Sequence, residues 1–196
     1  VLRVKKESYV YSVLNNKASF LFLKFGDLPV GLRIGEAYCD IRNFIPRSIE
    51  LKEDGCVLKA EAGGWYYQPF KEDQGTSDWW AMDHTKRDKI YTSTVAITVN
   101  VSELENGLEI GVKAEGMSGL PLRVELDVPA GVILENDTMC LTAGKGESLI
   151  LRDGDLRLHD GATTLVIGPG YGTHAFKGHY SGEQRNEDGY SIFLND

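Results

Sequence analysis

The sequence predicts an all-β fold, a two-sheet antiparallel β-sandwich of supersandwich-like form with at most one short helix. Three observations predict it. Apolar and polar residues alternate with period two along several segments, the pattern of antiparallel strands with one buried and one wet face. Asx-Gly dipeptides stand between those segments, where tight hairpins need positive φ. A long amphipathic helical repeat is missing from the chain.

The elements follow in chain order. Ala18–Phe25 reads Ala-Ser-Phe-Leu-Phe-Leu-Lys-Phe, nearly continuous apolar, and predicts a strand covered on both faces. Val30–Tyr38 and Ile45–Leu51 continue the sheet. Asp54-Gly55 joins Ser48–Lys52 to Cys56–Ala62 as a hairpin. Val95, Ile97, Val99 and Val101 alternate with Thr94, Ala96, Thr98 and Asn100. Asn106-Gly107 then leads to Leu108, Ile110, Val112 and Ala114. Leu122, Val124, Leu126 and Val128 alternate with Arg123, Glu125 and Asp127, which the pattern assigns to solvent. Asp153-Gly154 and Asp160-Gly161 flank Asp155–His159. The one helical candidate is Ser77–Lys89, with Ser77 or Asp78 as N-cap, Trp80 facing His84 and Asp83 facing Arg87; an irregular loop fits it equally. A linker-like shift in composition does not occur, so residues 1–196 read as one sandwich domain.

Composition narrows the class. Of 196 residues 42% are hydrophobic, enough for a core. The net charge of −8 argues against nucleic acid as a partner, since phosphate binding needs basic patches. No apolar run approaches the roughly 20 residues that span a bilayer. The chain opens Val1-Leu2-Arg3 without Met, which reads as a piece of a longer protein whose location in the cell rests on what precedes Val1. Cys39, Cys56 and Cys140 show no C-x-x-C spacing and read as buried small hydrophobes. Neither a metal nor a cofactor is expected.

One segment concentrates chemistry. Six of the 19 aromatic residues fall between positions 65 and 80, in Trp65-Tyr66-Tyr67-Gln68-Pro69-Phe70 and Trp79-Trp80. A polar run separates the two groups, and Asp83, His84, Lys86, Arg87 and Asp88 follow. Flat aromatic rings match the C–H faces of pyranose sugars, and planar polar groups match their hydroxyls. Trp65, Trp79 and Trp80 are the stacking candidates, Asp78 and Asp83 the hydroxyl acceptors, and Arg87 the partner for a uronate carboxylate. The competing reading makes the same aromatics a plug at one end of the sandwich. His84, flanked by carboxylates, is the candidate acid or base, with Tyr67 as its companion. A second polar cluster, His174, His179 and Tyr180, reads better as a mobile tail than as a metal or catalytic site.

The runs Phe22-Leu23-Lys24-Phe25-Gly26, Gly31-Leu32-Arg33-Ile34-Gly35, Gly64-Trp65-Tyr66-Tyr67 and Ser77-Asp78-Trp79-Trp80-Ala81-Met82-Asp83-His84 resemble the C-terminal β-rich part of heparinase II/III-like polysaccharide-degrading bacterial proteins. That resemblance implies a helical domain preceding the sandwich, β-elimination on uronic-acid sugars with Tyr or His as base and acid, and a site between the two parts. On this view the chain is not a complete enzyme. It contacts carbohydrate, or its companion N-terminal domain, through the aromatic segment. Two other readings stand beside it: a structural or assembly module whose aromatics form a seam to another domain or a second copy, and a self-sufficient polysaccharide lyase or hydrolase.

Overall fold

A computed structural model describes residues 1–38, 41–173 and 183–195. Cys39, His174, His179 and Tyr180 lie outside the described residues. The described chain is built of strands: β1 (Leu2–Lys5), β2 (Tyr9–Val13), β3 (Leu21–Phe25), β4 (Leu28–Tyr38), β5 (Ile41–Asn43), β6 (Ser48–Lys52), β7 (Gly55–Ala62), β8 (Trp65–Tyr67), β9 (Lys89–Tyr91), β10 (Val95–Leu104), β11 (Gly107–Glu115), β12 (Leu122–Pro129), β13 (Ile133–Glu135), β14 (Cys140–Thr142), β15 (Ser148–Ile150), β16 (Leu156–Asp160), β17 (Thr163–Ile167) and β18 (Gly189–Phe193). Its only helical pieces are two three-residue 3-10 turns, at Trp79–Ala81 and His84–Lys86. No helix among the described residues is long and apolar enough to cross a membrane.

The all-β sandwich character stands, with one elaboration: two small sheets, not one, cover the large sheet. The large sheet runs β1-β2-β3-β4-β12-β18-β15, with β5 paired to β4. Its pairs are antiparallel except β15 with β18. One cover sheet runs β11-β10-β7-β6, the other β14-β13-β16-β17. Leu28, Val30, Leu32 and Ile34 share one face of β4 by period two. Leu32 and Ile34 pack with Leu58, Ile97 and Val99 of the first cover sheet. Leu28 and Val30 pack with Leu134, Leu156 and Leu158 of the second. Both cores therefore rest on the same face of the large sheet. Leu23, Phe25 and Leu126 touch both.

The turn chemistry agrees with the sequence. At Gly55, φ is +139°, and a Cβ there would stand 1.9 Å from the carbonyl oxygen of Val101, so only glycine fits. Tyr9 and Tyr11 clamp the large sheet to the end of β10, donating to the Leu104 carbonyl at 2.8 Å and to Glu103 at 2.6 Å. Lys6 also reaches Glu103. Hydrogen bonds from Lys6 and Tyr11 hold the Glu103 carboxyl below its ordinary range.

Three expectations are corrected. β3 is not covered on both faces: Leu21 is buried, but Phe22 and Lys24 on its other face are exposed. The strands buried throughout their described residues are instead β18 and Gly31–Glu36 of β4. Cys56 is buried, but Cys140 is exposed, because β14 is an edge strand that turns Leu141 inward. Finally, the polar side of β12 is not wet. Arg123 and Glu125 are each only 2% exposed.

Partners explain this burial. Arg33 faces Glu125 directly across the β4–β12 ladder. Its Nη2 donates to Glu125 at 2.9 Å and to Asp127 at 2.6 Å. Arg123 lies over the Phe193 ring at 4.5 Å and 3.8 Å from Glu183. Gly35 makes room for that carboxylate; a Cβ there would overlap Glu183.

Two outcomes are expected. Arg33→Ala strands two carboxylates, one of them fully buried, and lowers stability by about 3–5 kcal/mol in urea unfolding at pH 7. Glu36 behaves differently, because burial pushes its carboxyl up to about 7. Its unfolded value lies near 4.5. Between these values the folded chain keeps a proton that the unfolded chain has released, so stability falls as pH rises through that window. Glu36→Gln removes the slope and gains about 3 kcal/mol over the parent at pH 8, read from unfolding midpoints at pH 5 and pH 8.

Candidate functional site

The aromatic segment forms an excursion outside both sandwich cores. β8 and β9 pair antiparallel, with Trp65 opposite Tyr91, Tyr66 opposite Ile90 and Tyr67 opposite Lys89. The hairpin is closed by Thr92 N–H to the Gly64 carbonyl at 2.9 Å and Gln68 N–H to the Asp88 carbonyl at 2.8 Å. Residues 68–88 loop out between the two strands. Alternation sends Trp65 and Tyr67 to one side and Tyr66 to the other, where it is exposed.

The candidate helix at Ser77–Lys89 resolves into a loop with two single turns. Each is started by an aspartate acting as cap. Asp78 Oδ1 accepts from Trp80 N–H at 3.0 Å. Asp83 Oδ1 accepts from the N–H of Thr85 at 3.2 Å and from its hydroxyl at 2.5 Å. The Thr85 hydroxyl is the main reason the Asp83 carboxyl sits below its ordinary range. Extended backbone at Met82 stops the first turn before a second can add to it. His84 consequently meets Trp79, at 4.1 Å between ring centroids, rather than Trp80.

His84 and Arg87 organise the loop from inside. The His84 ring stacks on Tyr67 at 5.6 Å and contacts Phe70 at 5.7 Å. Its Nε2 lies 2.7 Å from the Trp79 carbonyl oxygen and its Nδ1 lies 3.5 Å from Arg87 Nη1. A carbonyl only accepts, so Nε2 carries the hydrogen and Nδ1 offers its lone pair to the guanidinium. Both ring nitrogens are thus turned toward the loop. Arg87 donates Nε–H to the Gln68 carbonyl at 2.6 Å and approaches the Tyr67 carbonyl at 3.4 Å. Its guanidinium also sits over Tyr67, Phe70 and Trp79, at 4.8, 5.0 and 5.3 Å. Lys89 covers Trp65 at 4.0 Å. Trp65 and Tyr67 meet edge to face at 4.6 Å.

The sequence-predicted residues are therefore brought together, in divided roles. Trp65, Tyr67, His84 and Arg87 form a small half-buried cluster. Asp78 and Asp83 cap turns. Trp80 is 90% exposed and Trp79 is 49% exposed, so neither plugs a core. The sequence missed a second region, on the far face of the large sheet. There an open cleft of about 440 Å³ runs beside Asp127, with Phe22, Arg3 and Lys24 on one side and Asn186 and Asp188 on the other. Asp127 links it to the Arg33 ion pair, a link invisible until β4 and β12 are known to be neighbours.

Comparison with known protein families, curated proteins and solved structures returns no match.

Arg87→Ala removes charged donors from two carbonyls and the cation from three rings. It should loosen residues 68–88 locally by about 1–2 kcal/mol while the unfolding midpoint moves little. Faster amide exchange in this loop, with unchanged exchange in β10 and β12, is the expected reading.

Proposed function

We propose that the chain is a β-sandwich module of a bacterial polysaccharide-degrading protein, of heparinase II/III-like type, that contacts carbohydrate through its aromatic loop. The observation that carries this reading is Trp80. A tryptophan exposed on that scale loses its apolar contact area to water, yet the Asp78 cap fixes the backbone that presents it. Trp79 stands beside it, half-exposed, braced from behind by His84. The capped turn holds the backbone at both indoles, so presenting them to a flat ligand needs no ordering of the chain. A pyranose offers such a face, and the capping aspartates retain acceptor capacity for its hydroxyls.

The geometry favours contact over catalysis at this loop. His84 and Tyr67 were the candidate acid and base, but His84 directs both nitrogens into the loop rather than toward a cleft. Arg87 likewise spends its donors on Gln68 and Tyr67. The proposed contact therefore rests on Trp79 and Trp80, with His84, Tyr67 and Arg87 positioning them.

Titration of the chain against neutral and uronate-containing oligosaccharides tests the reading. Binding should quench tryptophan fluorescence, and Trp80→Ala should weaken it about tenfold or more, roughly 1.4 kcal/mol. Unchanged affinity in the Trp79→Ala, Trp80→Ala double variant would remove the stacking role.

A further inference from the structure

The core-facing row of β4 runs Leu28, Val30, Leu32 and Ile34, then reaches Glu36. The first four fill the two cores. The fifth places a carboxyl at the end of the first core, 5% exposed and opposite Leu122 in the β12 ladder. Glu36 lines a partly open pocket of about 230 Å³. Val95, Ala114, Leu120 and Leu122 give this pocket hydrocarbon walls, and the loop from Met117 to Pro121 forms its rim. Among the described residues no hydrogen bond or ion pair reaches the Glu36 carboxyl.

A carboxyl in this position has two ways to avoid a naked buried charge. It keeps its proton, or it takes a counterion. The charged residues on the elements around it do not supply one. Arg123 of β12 turns to the opposite face of the sheet, toward Glu183. Glu115 of β11 lines the same pocket, is itself acidic, and pairs with Lys113 at 2.9 Å. Arg42 of β5 makes no ion pair with Glu36. Val95 of β10 and residues 116–121 carry no charge.

We propose that this pocket binds a small aliphatic ammonium ion, with Glu36 as counterion and the hydrocarbon walls around the alkyl body. Hard metal cations fit poorly, because they want six or more oxygen ligands. No group of three metal-ligating side chains occurs among the described residues. The volume lies below the ~300 Å³ where pockets for drug-sized ligands begin, so the ligand has few heavy atoms. Ser118, on the rim loop, adds an oxygen for a second N–H. The site is separate from the Trp79–Trp80 turn and does not depend on the sugar reading.

Burial raises the Glu36 carboxyl to about 7, so the ionised form that the cation needs appears across neutrality. Calorimetric titration of the chain with n-butylammonium chloride is the test, with 1-butanol as the neutral control. One saturable site per chain is expected, about tenfold tighter at pH 8 than at pH 6. Glu36→Gln should lose at least tenfold in affinity while remaining folded, since it removes a buried charge. Ala114→Phe, which fills the pocket and leaves the carboxyl in place, should lose binding too. Nα-acetyl-lysine methylamide separates the sources. Its binding with the same Glu36 dependence supports the site with a protein lysine as ligand. Its failure beside bound butylammonium supports the site with a free amine. Absence of saturable binding, equal affinity in Glu36→Gln, or equal binding of 1-butanol overturns the proposal.

Discussion

The buried guanidinium of Arg33 is the joint on which the fold turns. It lies on β4, and its carboxylate partners lie on β12. Those two strands are where the large sheet passes from the half under the first cover sheet to the half carrying the second. Backbone pairing holds Gly31–Glu36 against Leu122–Asp127, but a ladder alone tolerates slippage. A slip of one residue would send Arg33 into the hydrocarbon core and turn Leu32 and Ile34 onto the buried polar face. The charge pair makes that slip far more costly than loss of packing alone, because it would strand buried ions on both strands. Register at this seam then fixes how both cores align.

The same interaction explains what the sequence could and could not disclose. Period two made most strands legible, and Asx-Gly dipeptides located the hairpins at Gly55, Gly107 and Gly161. Alternation reports only that two faces differ, however. It does not say whether the polar face meets water or other charges. In β12 the residues Arg123, Glu125 and Asp127 look like any solvated edge, and their burial depends on Arg33 and Glu183, distant in sequence by 92 and 60 positions for the nearest partners. Gly31 and Gly35 flank Arg33 and mark a crowded backbone, but a glycine names no partner. Nor could alternation show that two sheets share the work of covering one. That choice rests on where β4 ends its contact with Leu58 and begins its contact with Leu134.

The aromatic segment was legible as a cluster and not as an arrangement. Counting aromatics found it, because six in 16 residues depart from the rest of the chain. Helical spacing then paired Trp80 with His84, and this failed for a local reason. Two aspartates five residues apart each cap their own turn, and a loop with two caps cannot carry one continuous helix. The cost of that interruption is offset by His84, which meets the Trp79 carbonyl that a helix would have used internally, while Arg87 ties the loop back to the Gln68 carbonyl beside β8. Polar residues that look catalytic in the sequence thereby serve as backbone partners. What they leave at the surface is the pair of indoles.

Arg33 and Glu36 stand three positions apart on one strand and therefore on opposite faces of one sheet. Both are charged types, and both are almost wholly buried. Arg33 meets two carboxylates, whereas Glu36 faces a space lined by Val95, Ala114 and Leu120. A paired ion defines register, and its retention follows from the fold. An unpaired acid at the end of a core does the reverse, since its stability contribution falls as the solvent becomes less acidic. Leucine or glutamine at that position would pack as well without the loss. A fold that keeps the acid there keeps a destabilised site, and destabilised polar sites with room beside them are where binding has an energetic advantage to exploit.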